Sequence, residues 1–394
     1  MNFNEHGPMF TIQTLNPIAR AGLERLPTDR YRIASEVEAP DAILVRSADM
    51  HERAVPESVL AVARAGAGVN NIPVARLTGR GVPVFNAPGA NANAVKELVL
   101  VGMLLAARNV GEALGFVAAL PRDGDSAHAI EAEKKRFVGF ELDGKTLGVV
   151  GLGAIGVKVA NAARSLGMRV YGFDPHMTVE GAWQLSSDVI KAGSLAELYA
   201  ASDFISFHVP LNEATRGLFG RTALELARPG VVLLNFAREG IVDAQALKQG
   251  LADGRIGRYV TDFPPEGLLG DPRLIALPHL GASTREAEEN SAVMVVDQLR
   301  DFLENGNVRN AVNFPDTRMP REGKARLCIT NSNRPNMIGQ LTHVLGEAGI
   351  NIHQMHNASR GEIAYNLVDV DSGVDADALA ALRGIDGILS VRVV

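Results

Sequence analysis

One cysteine, Cys328, is all the thiol this chain of 394 residues contains. A lone thiol closes no intramolecular disulfide and builds no Cys-based metal cluster. Aromatic residues are sparse at 5%, and no basic patch is interleaved with them, which removes the stacking platforms of a single-strand binder. The net charge of −6 supplies no basic field for nucleic acid or a membrane surface. The longest apolar run, Leu98 to Ala107, is about half of what a bilayer requires. Met1 to Arg20 has no basic start followed by an apolar stretch, so no signal peptide is read there. These absences lead to the expectation of a cytoplasmic protein of two or three domains, without nucleic-acid, membrane or metal partners.

Glycine, by contrast, is abundant, with 40 residues, and one stretch uses it with a purpose. Thr146 to Val150 is a short apolar run that breaks into Gly151-Leu152-Gly153-Ala154-Ile155-Gly156. This reads as a strand entering a phosphate-binding turn. Gly151 turns the chain, Gly153 lets a pyrophosphate approach bare backbone, and Gly156 lets the next helix pack closely. The N–H groups opening that helix, at Ala154 and Ile155, face the anion. A second apolar run, Arg169 to Phe173, ends on Asp174. An acid there holds a ribose 2′-hydroxyl and repels a 2′-phosphate, which favours NAD over NADP. Alone, the glycines also suit a turn in another α/β domain.

Short strands and helical patterns alternate along most of the chain, as in parallel α/β sheets. Strands are expected at Phe10 to Leu15, Ala42 to Arg46, Val62 to Ala65 and Val82 to Phe85, with Asn16-Pro17 opening a helix. Arg46 and Ser47 follow one strand and Gly66 to Asn70 another, and ligands of open α/β sheets gather at such strand ends. An anion anchor at Arg46 and a carboxylate-holding turn at Gly68, Val69 and Asn70 stand beside the alternative of plain loops. A long helix is expected over Val95 to Arg108, capped by Asn91 or Asn93. Residues Pro121 to Lys135 read as polar helix, and Lys134-Lys135-Arg136 as a solvated face or a phosphate contact. Further strands, Asp203 to Phe207, Val231 to Asn235, Gly257 to Thr261 and Leu274 to Leu277, deliver His208, Arg238, Glu266 and His279 just beyond their ends. Groups converging from several strand ends are what a hydride-transfer site needs. A helix from Ser283-Thr284 to Leu303, a closing strand Val308 to Asn313 and an aperiodic linker 314–324 follow. From Ala325 the order is strand, helix, strand, strand, helix, strand, a ferredoxin-like split βαβ. His353-x-x-His356 falls in one of these strands, where the two side chains face opposite sides.

Beyond the glycines, the chain resembles the D-2-hydroxyacid dehydrogenase family, joined to a C-terminal ACT domain. The resemblance rests on Asn86-Ala87-Pro88, Glu141 to Leu147, His208-Val209-Pro210-Leu211 with Thr215, Asn235 to Gly240, and Pro278 to Thr284. It implies an α/β fold of two doubly wound parallel-sheet domains, a Rossmann-like cofactor domain at 94–282 inserted in a flavodoxin-like substrate domain at 1–93 and 283–313. The linker 314–324 and a βαββαβ ACT domain at 325–394 complete it. The family's arginine falls on Arg238 and its histidine on His279, with Glu266 as the carboxylate behind the histidine. The loop from Asp262 to Glu266 is one residue shorter than the family pattern. NAD is implied as cofactor, held around Gly151, Gly153, Ala154, Ile155, Gly156, Asp174, His208, Pro210, Thr215, Ala237, Asp262 and Gly281. The resemblance is greatest to members acting on 3-phosphoglycerate, whose phosphate falls to Arg46 and Ser47 and whose carboxylate falls to Gly68, Val69 and Asn70. It further implies L-serine as a regulator at Asn331, Asn333 and Asn351, and a homodimer or homotetramer. A glyoxylate or hydroxypyruvate reductase is the second enzyme reading. An NADH-sensing protein without turnover is the reading of another class, and it would need neither Glu266 nor His279.

Overall fold

The structure, a computed structural model, describes residues 9–121 and 126–394. The described residues form two compact units, one of 9–91 with 285–394 and one of 92–121 with 126–284.

The first unit opens with a five-stranded parallel sheet. Its strands are β1 (Phe10–Thr14), β2 (Tyr31–Ala34), β3 (Ala42–Val45), β4 (Ala61–Arg64) and β5 (Val84–Phe85), in the order β2-β1-β3-β4-β5. All four residues of β3 are buried, as expected of a central strand covered on both faces. The order reverses between β1 and β3, so the loops leaving these two strands border the crevice where such sheets take ligands. Helix Arg285–Asn305 covers one face, its Val295, Val296, Leu299 and Leu303 joining Ile12, Leu44 and Ala63 in one core.

The second unit is a seven-stranded parallel sheet. Its strands are β6 (Thr146–Val150), β7 (Arg169–Phe173), β8 (Ile190–Lys191), β9 (Phe204–Phe207), β10 (Val231–Asn235), β11 (Ile256–Thr261) and β12 (Leu274–Ala276). The order β12-β11-β10-β9-β6-β7-β8 reverses between β6 and β9, which puts Gly151 and His208 at that switch point.

Residues 325–394 form the rest of the first unit: β13 (Ala325–Ser332), β14 (Ile352–Arg360), β15 (Ile363–Val370) and β16 (Ile388–Val393), with helices Met337–Glu347 and Ala376–Gly384. The antiparallel order β14-β15-β13-β16 is the ferredoxin-like arrangement. The helices bury Leu341, Leu345 and Leu382 against Leu327, Ile329 and Val368. The alternate residues of β13 and β15, among them Cys328, Tyr365 and Leu367, enter the same core as the five-stranded sheet.

Several expectations need correction. Asn16-Pro17 does not start a helix, which begins at Arg20 after Ala19; the Asn16 side chain is committed to the loop after β3 instead. Val308 to Asn313 is not a strand and holds only isolated bridges, Phe85 to Ala311 and Val308 to Thr317. Segment 314–324 has no regular structure, yet Phe314, Thr317 and Met319 are buried, so it is packed chain and not free linker. Strands β2 and β8, both short and at sheet edges, and helices Val110–Ala118 and Val179–Gln184 went unread. Residues 122–125 of the expected polar helix lie outside the described residues; its remainder is helix Ser126–Glu133. There Lys134 and Arg136 pair with Glu131 and Glu133.

Candidate active site

The glycine turn has the geometry a dinucleotide requires. Gly151 has φ of +90°, and a Cβ there would lie 2.7 Å from the His208 carbonyl oxygen. A Cβ at Gly156 would lie 1.9 Å from the Gly151 oxygen, whereas at Gly153 it would meet nothing within 4 Å. Two glycines are thus demanded by close backbone approach, and the third leaves open space. Gly153 precedes helix Ala154–Ser165, whose Ala154 and Ile155 stand in its first turn. Asp174, at the end of β7, accepts hydrogen bonds from the Leu152 and His176 N–H groups at 2.8 Å each. Its carboxylate is therefore fixed across the mouth of the turn.

From the other side of the switch point come His208, Pro210 and Thr215. The His208 ring lies 2.9 Å from the Ser206 hydroxyl, and burial lowers its pKa to about 3, so it is neutral at pH 7. The Thr215 hydroxyl donates to the Pro210 carbonyl at 2.5 Å, closing that loop on itself.

Arg238 leaves β10 through a turn held by the fully buried Asn235. The Asn235 amide donates to the Arg238 carbonyl at 2.9 Å, its side-chain oxygen accepts from the Ala237 N–H at 3.2 Å, and its backbone carbonyl accepts the Thr261 hydroxyl at 2.9 Å. The Arg238 guanidinium is exposed, donating to the Ala237 carbonyl. Thr261 in turn accepts from the Phe263 N–H at 3.0 Å, and the Phe263 ring lies 4.5 Å from that of His279. His279 is exposed. Asp262 is buried, and neither carboxylate oxygen has a hydrogen-bond partner. Burial raises its pKa; the charge of His279, the Gly281 N–H, which faces the carboxylate outside good hydrogen-bond geometry, and the charge of Arg238 oppose the rise. Gly281 lies beside it, a Cβ there being 3.6 Å from Asp262 Oδ2. Glu266 is exposed, and no hydrogen bond or ion pair joins it to His279.

In the first unit, Arg46 and Ser47 leave β3 beside the β1–β3 reversal. Asn16 Oδ1 accepts the N–H groups of Arg46, Ser47 and Ala48 at 3.2, 3.1 and 2.8 Å. The Arg46 side chain pairs with Glu288. The turn carrying Gly68, Val69 and Asn70 is tied down by Val69 accepting from the Ile72 N–H at 3.0 Å and by the His51 ring 3.1 Å from the Asn70 carbonyl. The Asn16 clamp and the support from Asn235 and Thr261 were invisible in the sequence. An asparagine or threonine at a strand end was the only local sign.

The three asparagines expected to hold L-serine, Asn331, Asn333 and Asn351, are not alike. Asn331 is buried, its oxygen accepting from the Asn366 amide at 2.7 Å. Asn333 and Asn351 are exposed, donating to the Gly361 carbonyl at 3.0 Å and to Asp371 at 2.6 Å. His353 lies 3.4 Å from Glu322 and 3.3 Å from Asp371.

The glycine cradle and the orphaned Asp262 carboxylate suit a dinucleotide with a pyrophosphate at one end and N–H donors at the other. The chain's similarity to known proteins has the same sense. The family model described as D-isomer specific 2-hydroxyacid dehydrogenase, NAD binding domain, matches residues 101–281. A D-3-phosphoglycerate dehydrogenase of Escherichia coli K12 is 32% identical over 349 residues, covering 85% of this chain and 82% of that protein. The chain belongs to the D-2-hydroxyacid dehydrogenases. Among solved structures, an NAD-bound 3-phosphoglycerate dehydrogenase of Entamoeba histolytica matches with a TM-score of 0.59 and 25% identity, over 77% of this chain and 98% of that one. A glyoxylate reductase of Paecilomyes thermophila matches with a TM-score of 0.61 and 28% identity, again over 77% and 98%. The protein is therefore an NAD-dependent enzyme of this family.

Proposed function

We propose that the enzyme oxidises 3-phospho-D-glycerate to 3-phosphohydroxypyruvate, the first step toward serine. The observation carrying this is that D-3-phosphoglycerate dehydrogenases match over most of the chain, at 32% and 36% identity for the Escherichia coli and Methanocaldococcus jannaschii proteins. In this reading Arg46 and Ser47 take the substrate phosphate and the backbone at Gly68, Val69 and Asn70 its carboxylate. Arg238 binds the carboxylate and polarises the C2 oxygen, which suits a planar guanidinium. His279 accepts the C2 hydroxyl proton and returns it in the reverse direction. Glu266 is its carboxylate support. A bound NAD would supply the hydride acceptor for C2. The pyrophosphate falls to Gly151, Gly153, Ala154, Ile155 and Gly156, the ribose to Asp174, and the remaining contacts to His208, Pro210, Thr215, Ala237, Asp262 and Gly281.

The test is an NAD-linked assay with 3-phosphoglycerate, lactate and 2-hydroxyglutarate. Arg46→Ala should raise KM for the phosphorylated substrate by about 10–100-fold, the loss of a charged hydrogen-bonded contact. Unchanged phosphoglycerate kinetics in that variant would favour the second reading, a glyoxylate or hydroxypyruvate reductase, which the Paecilomyes match supports.

The ferredoxin-like topology of 325–394 supports an ACT domain, with L-serine held at the exposed Asn333 and Asn351. The buried, partnered Asn331 supports a structural role at that position. Self-association is supported by helices Ala92–Arg108 and Val110–Ala118, where Val101, Leu104, Leu114 and Val117 are exposed. Exposed apolar side chains grouped on two consecutive helices suit such a role. Leu114→Glu should yield a smaller species by light scattering, and an unchanged mass would place the interface elsewhere.

A further inference from the structure

Arg46 is the anion anchor in the reading above, and its side chain already has an anion. Arg46 Nη2 donates to Glu288 Oε1, from the start of helix Arg285–Asn305. The two side chains are 42% and 37% exposed, so they are neither locked in the core nor lost in solvent. The Arg46 backbone cannot retreat from this position, because Asn16 holds its N–H and Arg64 Nε donates to its carbonyl at 3.0 Å.

We propose that Glu288 is a specificity-determining residue that sets the charge an incoming substrate must carry. The inference rests on Arg46 being the anchor for the substrate's distal group. A distal carboxylate offers Arg46 the same bond that Glu288 already makes, and it brings two like charges together. A neutral hydroxymethyl or methyl group offers less still. A phosphate carries nearly two charges and three strong acceptor oxygens, so it matches the guanidinium fork better than a carboxylate does. Because a partly exposed ion pair is weak, a phosphate displaces Glu288 at modest cost. Discrimination comes from competition within the site, where the wrong substrate fails to dislodge the resident acid.

The experiment is steady-state kinetics of the full chain with NAD, comparing 3-phosphoglycerate with 2-hydroxyglutarate, in wild type, Glu288→Gln, Glu288→Ala, Arg46→Ala and the Arg46→Ala/Glu288→Gln double variant. NAD titration of each variant checks folding. The Glu288 substitutions should lower KM for 2-hydroxyglutarate by about tenfold and for 3-phosphoglycerate by no more than about threefold, the scale of one weak ion pair plus the like-charge repulsion removed. The preference for phosphate should narrow, with kcat nearly constant. In the Arg46→Ala background, Glu288→Gln should have a smaller effect, since release of the guanidinium no longer contributes and only the like-charge repulsion is relieved. An unchanged or wider preference overturns the proposal, as does a rise in both KM values, which would make Glu288 a positioning residue for Arg46. If Arg46→Ala alone leaves the phosphate preference intact, it is the anchor reading that fails.

Discussion

Asp262 and Glu266 are two carboxylates four residues apart with opposite circumstances. Asp262 is buried with both oxygens unpartnered, and an unsatisfied buried acceptor costs free energy unless a donor arrives. Glu266 is exposed, so it carries no such cost. The two substitutions should therefore separate kinetically. Asp262→Asn should raise KM for NAD about tenfold, the worth of one hydrogen bond to a charged acceptor, with kcat changed little. Glu266→Gln should lower kcat about 10–100-fold and leave KM for NAD alone, as loss of a general base's support does. The reverse pattern, kcat collapsing in Asp262→Asn while Glu266→Gln stays active, would assign the support of His279 to Asp262. The strand ends that carry Arg238 and His279 were legible because the apolar runs before them are. The burial of Asp262 was not, because it is a tertiary property that no local pattern records.

At the level of elements, the glycine turn and the central parallel strands were read nearly to the residue, since β6, β9 and β10 are apolar runs with turn residues at their ends. Segment 314–324 was not, and the reason is physical. Its order comes from residues distant in sequence: Phe314 packs on Tyr365, ring centroids 5.8 Å apart, and the fully buried Arg326 holds the chain from below. Arg326 donates to the Met319 carbonyl at 2.9 Å, the Pro320 carbonyl at 2.7 Å and the Asn305 carbonyl at 3.0 Å, and pairs with Asp369 through two bonds of 2.5 and 2.8 Å. Removing one partner of such a pair leaves an uncompensated buried charge and costs about 3–5 kcal/mol. Asp369→Asn should accordingly release the segment. Trypsin should then cut at the exposed Arg318, Arg321 and Lys324 many times faster than in wild type, with the fragments identified by mass spectrometry. Equal cleavage rates would show that the clamp does not hold the segment.

For the molecule as a whole, these buried groups give stability a pH dependence whose parts have different signs. Burial lowers the His208 pKa from 6.5 to about 3. Between those values the unfolded chain binds a proton that the folded one refuses, so the contribution is complete above about pH 6.5 and is lost as pH falls toward 3. At pH 5 the loss from this residue is roughly 2 kcal/mol. Asp369 responds later: burial would raise its pKa, but hydrogen bonds, with Arg326 foremost, bring it from 3.8 to about 2, so its contribution persists until pH drops below about 4. Asp262 has the opposite sign, because its raised pKa makes the folded state cost more when ionised, a cost relieved on acidification. Thermal unfolding at pH 7.5 and 5.0 tests the first effect. His208→Asn should lose less stability than wild type across that interval. Parallel losses in wild type and His208→Asn would mean that the imidazole is not held neutral in the fold, and the acid sensitivity would then have to come from groups outside the β9 strand end.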